Sequence, residues 1–319
     1  SRIDTVILLA LPLFFYFISL ERKNKYLFII HFLPACIVLA SYLFINALSF
    51  QSIIPISGLA KGLTIYPFIL SFHFWQDFFY HPFELSLYFI TIITFIVSLN
   101  KKRDLIVQSM LFSIIVYFIV ISARSDWALF DWYFYPLILV IPSIILMFNN
   151  EVHKLYLKQF ILYTLMIIIG LWSIKYMHRV HNALSSESSN YTHAHSIHKW
   201  LVKNNINIAA MGDRSGLTGY IHNGTIINLE GLVSNRILID SIHAQAELQA
   251  TLKEFRSEAL IVSVYEELLK DEKGRYIVKQ PHPKQAGIYS KKMTGYLGNP
   301  DTIIYKINDQ CRTYIWYLR

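Results

Sequence analysis

Six apolar runs, at roughly 5–20, 27–50, 83–99, 107–122, 133–148 and 160–177, occupy the first part of this 319-residue chain. A bilayer core about 30 Å thick needs about 20 helical residues to cross it, with a range of about 17–25. Backbone inside hydrocarbon must satisfy its own hydrogen bonds, so such runs are expected as helices. The first, fifth and sixth are short by the strictest count, and interfacial Tyr and Trp extend them. Charge divides the chain at the same place. Residues 1–178 carry 12 Lys+Arg and 8 Asp+Glu, whereas the shorter stretch 179–319 carries 17 and 13. The overall charged fraction of 16% lies below the roughly 25% usual in soluble domains, and mean hydropathy is +0.40. These values argue against an ordinary cytosolic enzyme. The expected fold is a multi-spanning α-helical membrane bundle over 1–178, a polar linker at 179–191, and a small exported α/β domain over 192–319.

The loops set the orientation. Arg22, Lys23 and Lys25 lie between runs one and two, Lys101, Lys102 and Arg103 between three and four, and Lys154 and Lys158 between five and six. The alternate loops, 51–82 and 123–132, hold only Lys61 and Arg124 among Lys and Arg. The positive-inside rule places the three basic loops in the cytoplasm, and 51–82, 123–132 and the whole region after His178 on the other face of the plasma (inner) membrane. The chain opens at Ser1 almost directly into an apolar run, without a recognisable secretory signal. It is therefore expected to be a fragment or processed product. The net charge of +8 includes no basic tract interleaved with aromatics, which argues against a nucleic-acid partner. Two cysteines, Cys36 and Cys311, do not make a disulfide framework.

Both outer loops carry candidate residues. Loop 51–82 contains Ser57-Gly58-Leu59-Ala60-Lys61-Gly62 and the aromatic stretch Phe72–Tyr80. Its plain explanation is the aromatic belt at headgroup depth; its sharper one is a lipid-headgroup groove in which Lys61 meets a phosphate. In loop 123–132, Arg124, Asp126 and Asp131 sit at a membrane boundary, followed by Tyr133 at the mouth of the fifth run. Charges there are functional candidates, although Arg124 and Asp126 would also serve as helix caps that pair with each other.

After the linker, a helix is expected over about 192–204, strands at Ile206–Met211, Thr225–Leu229 and Ala259–Val264, and helices at Ser215–Ile221 and about 236–256. Strands alternating with helices imply βαβ units and a Rossmann-like, mainly parallel sheet, with Thr302–Ile307 and Thr313–Leu318 as added edge strands. Gly212, Gly216 and Gly219 permit a tight strand-to-helix turn. Their G-x-x-x-G-x-x-G spacing is neither the dinucleotide fingerprint nor a P-loop, which removes both nucleotide readings. Asp213 and Arg214 fall at a strand's carboxyl end, where open α/β sheets bind ligands; as a plainer role, Asp213 caps the short helix.

The run from Gly212-Asp213 to Gly219-Tyr220, then Ile227-Asn228-Leu229-Glu230-Gly231-Leu232-Val233 with Asn235 just beyond, resembles the exported C-terminal domain of bacterial GT-C glycosyltransferases. Within that superfamily the resemblance is close to the protein-mannosyltransferase and aminoarabinose-transferase class. Ser57-Gly58 to Lys61, and Trp132-Tyr133 to Pro136, fit the same layout. The resemblance implies transfer of a sugar from a polyprenyl-phosphate carrier in the membrane lipid to an envelope glycan, lipid or protein on the non-cytoplasmic face. It also implies an acidic base or metal ligand in a first outer loop, here upstream of Ser1, and so allows a divalent cation in the full-length protein. No catalytic acid is assigned within this chain. Asn228, Glu230 and Asn235 join Lys61, Arg124, Asp126, Asp131, Tyr133, Asp213 and Arg214 as substrate-binding candidates. Lys61 and Arg124, the Lys and Arg of the outer loops, are the expected phosphate contacts.

Other patterns are weaker. His178, His181, His193, His195 and His198 crowd one region, but a juxtamembrane linker offers no shaped metal cavity. Asn190-Tyr191-Thr192 and Asn223-Gly224-Thr225 match the glycosylation sequon by chance if the source is bacterial. No Gly-x-Ser-x-Gly or His-Glu-x-x-His motif supports a hydrolase. The rival expectation is a non-catalytic membrane protein whose exported domain binds sugar or a partner. A transporter half is disfavoured because Glu84 and Lys175 lie near the ends of runs rather than within them.

Overall fold

The computed structural model describes residues 6–53, 56–62, 72–99, 105–124, 127, 129, 131–149, 155–212, 214–233, 235–287, 289–305 and 311–318. The chain forms two compact units. One comprises Ser1–Ser49 with Tyr66–Lys175, and the other Phe50–Ile65 with Tyr176–Arg319.

The first unit is helical: α1 (Val6–Ser19), α2 (Arg22–Phe50), then α4 (Phe72–Phe79), α5 (Pro82–Leu99), α6 (Leu105–Arg124), a 3-10 helix (Asp131–Leu139), α7 (Val140–Asn149) and the first part of α8 (Leu155–Lys203). Among the described residues, three helices are long and apolar enough to cross a membrane: Arg22–Ser49, Pro82–Leu99 and Leu105–Ala123. Leu8–Ser19 and Tyr133–Ile144 are shorter apolar helices. The fifth run is not one α-helix. Pro136 lies inside its 3-10 segment, and a proline removes an interior hydrogen bond and clashes with the preceding turn.

The aromatic stretch of loop 51–82 divides, with Phe79 and Tyr80 exposed and other rings buried. In α4, Phe74 and Phe78 are fully buried. Phe78 stacks on Phe118 at 5.4 Å and on Phe134 at 5.3 Å between ring centroids. Offset aromatic pairs of this kind contribute about 0.5–1.5 kcal/mol each beyond their area. They join α4, α6 and the 3-10 helix into one core with Leu111, Ile114 and Leu137.

The stretch 179–191, expected as a linker, is helical and belongs to α8. Between Gly170 and Lys203 the sequence has no Gly or Pro to end the helix. It stops instead at a C-terminal turn in which Asn205 adopts a left-handed φ of 54°. There Ile206 N–H donates to Leu201 C=O at 3.0 Å, and Asn205 N–H to Val202 C=O at 3.1 Å. This paired closure satisfies otherwise orphaned helix-end carbonyls.

The second unit holds α3 (Ile56–Lys61), the end of α8, and a five-stranded sheet ordered β2-β1-β3-β7-β6. Its strands are β1 (Ile208–Met211), β2 (Thr225–Asn228), β3 (Ala259–Val264), β6 (Thr302–Tyr305) and β7 (Arg312–Tyr317); β4 (Tyr276–Gln280) and β5 (Met293–Leu297) form a separate hairpin. The β1–β2 and β1–β3 pairings are parallel, and β3–β7 and β6–β7 are antiparallel. The sheet is therefore mixed, not mainly parallel. Parallel pairing needs a crossover of about a dozen residues or more, usually a helix. Between β3 and β7 the described chain offers only the four-residue α12 (Pro283–Ala286). Of the two late strands expected at an edge, β6 lies there and β7 lies inside the sheet.

α9 (Ser215–Ile221) joins β1 to β2, while α10 (Arg236–His243) and α11 (Leu248–Glu254) join β2 to β3. The two connections take opposite faces. Ile197 and Leu201 of α8 pack with Ala209, Met211 and Ile261 on one face, where Ile226 also lies. A Cβ at Gly219 of α9 would stand 3.5 Å from Ile226 Cβ, which puts α9 on that face too. Leu238 and Ile242 of α10 and Leu248 and Leu252 of α11 pack with Ala210, Leu260 and Val262 on the other.

The helix α3 comes from the segment between α2 and α5, yet it packs on the sheet unit, where Ala60 and Leu59 meet Ile239 and Leu232. Gly231 makes the seat possible. Its φ is +75°, and a Cβ there would come within 2.8 Å of Ile239 Cδ1 and 3.4 Å of Ala60 Cβ. Gly274 has nearly the same φ, +76°, but nothing within 4 Å of its Cβ position. A side chain at positive φ costs about 1–2 kcal/mol. Gly274→Ala should therefore show that backbone cost alone. Gly231→Ala should lower the thermal midpoint of the detergent-solubilised chain by several degrees more, a comparison that differential scanning fluorimetry can make.

Candidate functional site

Because its connections leave on opposite faces, the β1–β3 boundary is a topological switch point. In open α/β sheets the crevice at the carboxyl ends of the strands there is where ligands sit. The chain places a polar set at this edge. Beyond β1 come Gly212, Arg214 and Ser215, beyond β3 comes Tyr265, and at and after the end of β2 come Asn228 and Glu230.

Arg214 and Tyr265 span the switch point. The Arg214 guanidinium lies 5.2 Å from the Tyr265 ring centroid, and its Nη2 donates to the Tyr265 hydroxyl. Arg214 holds this position at a left-handed φ of 66°, just ahead of α9. Asn228 Nδ2 donates to Ser215 Oγ at 2.5 Å, and Asn228 Oδ1 accepts from Leu232 N–H at 3.3 Å. Beneath lies Gln280, 1% exposed. Its carboxamide fills the space that Gly212 leaves: a Cβ at 212 would meet Gln280 Oε1 at 2.6 Å and Nε2 at 2.9 Å. Oε1 of Gln280 is buried without a hydrogen-bond partner, and an unsatisfied buried acceptor is uncommon and calls for a reason.

The structure thus brings Arg214, Asn228 and Glu230 to one edge. Glu230 is buried there, at 6% exposure. Asn235 has a structural role: its Oδ1 accepts from Leu238 N–H at 3.1 Å and caps α10. Lys61 ends α3, whose seat at Gly231 lies three residues past the end of β2. Arg124 closes α6 and Asp131 opens the 3-10 helix, both in the other unit. Tyr133 is buried in that unit's aromatic core. Asp126 and Asp213 lie outside the described residues.

Tyr265 and Gln280 were missed in the sequence. Tyr265 directly follows the apolar run of β3, and the switch-point rule would have found it once the strand order was known. Gln280 belongs to a hairpin whose two strands are joined by a long connection rather than a tight two-residue turn.

A second polar group lies within the helical unit. Lys175 Nζ reaches Glu84 Oε1 at 2.7 Å and Oε2 at 2.8 Å. Glu84 is 3% exposed, and His81 Nδ1 is 4.0 Å from the same carboxylate. The two charges, 91 residues apart, sit near the ends of their runs as expected, but the sequence did not pair them. They join α5 to α8.

The histidines divide among separate roles. His193 Nε2 is 2.8 Å from Thr313 Oγ1, which is also 2.8 Å from Ser263 Oγ, so a buried polar chain ties α8 to β7 and β3. His195 stacks edge-on against Tyr191 at 4.4 Å, and His198 faces His222 at 5.7 Å. Burial, and then His198, push the His222 imidazole below its ordinary value, with the Ile206 backbone opposing. Among the described residues no group of three or more His, Cys, Asp or Glu side chains is placed to hold a metal ion. The divalent cation therefore has no assignable ligands in the described part of the chain.

Neither protein-family models, nor curated protein sequences, nor solved structures give a match to this chain. The site is defined by its own geometry.

Removing one partner of a buried ion pair leaves an uncompensated charge and costs about 3–5 kcal/mol, whereas replacing both partners can be nearly neutral. Lys175 is a third exposed, so Lys175→Met should destabilise the solubilised chain by less than that figure, through the buried Glu84 carboxylate that it leaves unpaired. Adding Glu84→Gln to it should restore most of the loss, as read by thermal unfolding in detergent.

Proposed function

We propose that the chain is the carboxyl-terminal part of an integral-membrane glycosyltransferase. It moves a sugar from a polyprenyl-phosphate donor to an envelope glycan, lipid or protein on the non-cytoplasmic face of the plasma membrane. In this reading the helical unit makes six spans, and the sheet unit is exported as a Rossmann-like domain. The observation that carries it is α3. A segment lying between two membrane-length helices shares a compact unit with the domain that follows the last apolar run. That is possible only when an even number of crossings separates them. Crossings by α5, α6, the Asp131–Asn149 arm and the first part of α8 supply four. The basic loops then fall together on the opposite face, which the positive-inside rule makes cytoplasmic.

The chemistry suits that placement. A polyprenyl donor presents its phosphate at the membrane surface, and the departing phosphate gains negative charge as the glycosidic bond breaks. Fixed cations at that depth stabilise it, and one positioned donor supplies several kcal/mol. Lys61, carried on the helix seated at Gly231, and Arg124, closing α6, are assigned this role. One observation favours the rival reading of a non-catalytic binding protein: the polar side chains at the β1–β3 edge hold one another, Arg214 with Tyr265 and Asn228 with Ser215.

Transfer separates the two. In proteoliposomes of the full-length protein supplied with a radiolabelled polyprenyl-phosphate sugar and envelope extract, sugar should move to acceptor. Lys61→Ala and Arg124→Ala should each slow it by about tenfold or more with little change in melting temperature. No transfer by the unaltered protein, or transfer indifferent to both substitutions, contradicts the assignment.

A further inference from the structure

We propose that the Asn223-Gly224 turn between α9 and β2 is a self-modification site, at which Asn223 converts through a succinimide to aspartate and isoaspartate, with His222 accepting the proton. This chemistry is independent of sugar transfer and of membrane sidedness.

Asn223 is the one asparagine of the chain that precedes a glycine. In such a pair the backbone nitrogen of the second residue can attack the carboxamide carbon of the first. Glycine, without a Cβ, hinders that approach least. A fold blocks the reaction when it ties up the amide or the carboxamide in hydrogen bonds. Here it blocks neither. Asn223 is exposed, and both residues lie outside helix and strand. Among the described residues no hydrogen bond engages the Asn223 carboxamide or the Gly224 N–H. Asn205 is also exposed, yet its neighbour is the β-branched Ile206, whose N–H donates to Leu201 C=O at 3.0 Å. Asn235 has its carboxamide spent on capping α10.

Packing fixes the glycine in place. A Cβ at 224 would stand 2.2 Å from the Asn207 carbonyl oxygen and 2.6 Å from His222 Nε2. The same closeness sets the His222 imidazole against the Gly224 peptide. His222 is 8% exposed. Burial, and then His198, hold its imidazole below the ordinary value, so at neutral pH the ring is uncharged and keeps a lone pair.

The step balances without an oxidant or reductant. The Gly224 N–H proton passes to the imidazole as the nitrogen bonds to Asn223 Cγ. The bond from Cγ to the carboxamide nitrogen then breaks, and ammonia leaves with that proton. Water opens the succinimide at either carbonyl, giving aspartate or isoaspartate. Both products add a negative charge, and isoaspartate also adds a methylene carbon to the main chain. The change falls just before the first β1–β2 rung, where Thr225 pairs with Ile208 and Thr225 N–H donates to Asn207 C=O at 2.7 Å. Conversion therefore loosens the edge strand that carries Asn228.

The test incubates the detergent-solubilised chain for days at neutral pH and follows each asparagine by peptide mass spectrometry, with isoaspartyl methyltransferase labelling of the product. Asn223 should convert at least about tenfold faster than Asn205, whose neighbour carries a branched Cβ. His222→Gln should slow the conversion severalfold. A merely structural His222 would give the opposite sign, because loosening the turn would speed the attack. The proposal is overturned if Asn223 converts no faster than Asn205, or if His222→Gln leaves the rate unchanged or raises it.

Discussion

The contact of Ala60 with the notch beside Gly231 is the interaction on which the rest of the account depends. It holds a segment from between two apolar helices against a domain that follows the last apolar run. The contact is small, and its consequence comes from topology rather than from energy. Water-soluble structure cannot lie on both faces of a bilayer and share one core, because irregular backbone exposed to lipid has no hydrogen-bond partners. In the proposed arrangement, the parity of the crossings, the side of the basic loops and the membrane-surface position of Lys61 all rest on that one packing event.

Much of the architecture was legible in the sequence, for identifiable reasons. β1, β2 and β3 are short β-branched or aliphatic runs bounded by Gly212, Asn223-Gly224 and Ser257, and they form within two residues of the expected bounds. α9, α10 and α11 fall where expected for the same reason: the strands leave room for nothing else. The late part of the chain was harder. Thr313–Leu318 looks like an edge strand because it ends the sequence, but antiparallel pairing on both sides buries Tyr314, Ile315 and Trp316 and draws it inside the sheet. The β4–β5 hairpin was not anticipated because the residues between its strands, including Pro281, Pro283 and Ser290, form no tight two-residue turn. The expected linker failed because polarity alone does not stop a helix; without Gly or Pro, α8 continues.

The candidate site was half legible. Arg214, Asn228 and Glu230 stood out because they cluster around a glycine-rich turn and a strand end, and they do share one edge. Asn235 stood out for the same local reason but is spent on capping α10. Tyr265 and Gln280 come from other parts of the chain, and only the strand order places them at that edge. Glu84 and Lys175 show the same limit. Each looked like a charge near the end of a run, and only the helix packing makes them one part-buried pair.

The sidedness proposed for loop 51–62 and the sheet unit is tested most directly by labelling intact cells. In a Cys36→Ser, Cys311→Ala background, single cysteines at exposed Gly62 and Asn223, and a third at Lys102, would be treated with a membrane-impermeant maleimide. Positions 62 and 223 are expected to react without lysis, and position 102 only after it. Reaction of 62 and 223 on different sides, or of both only after lysis, would contradict the account.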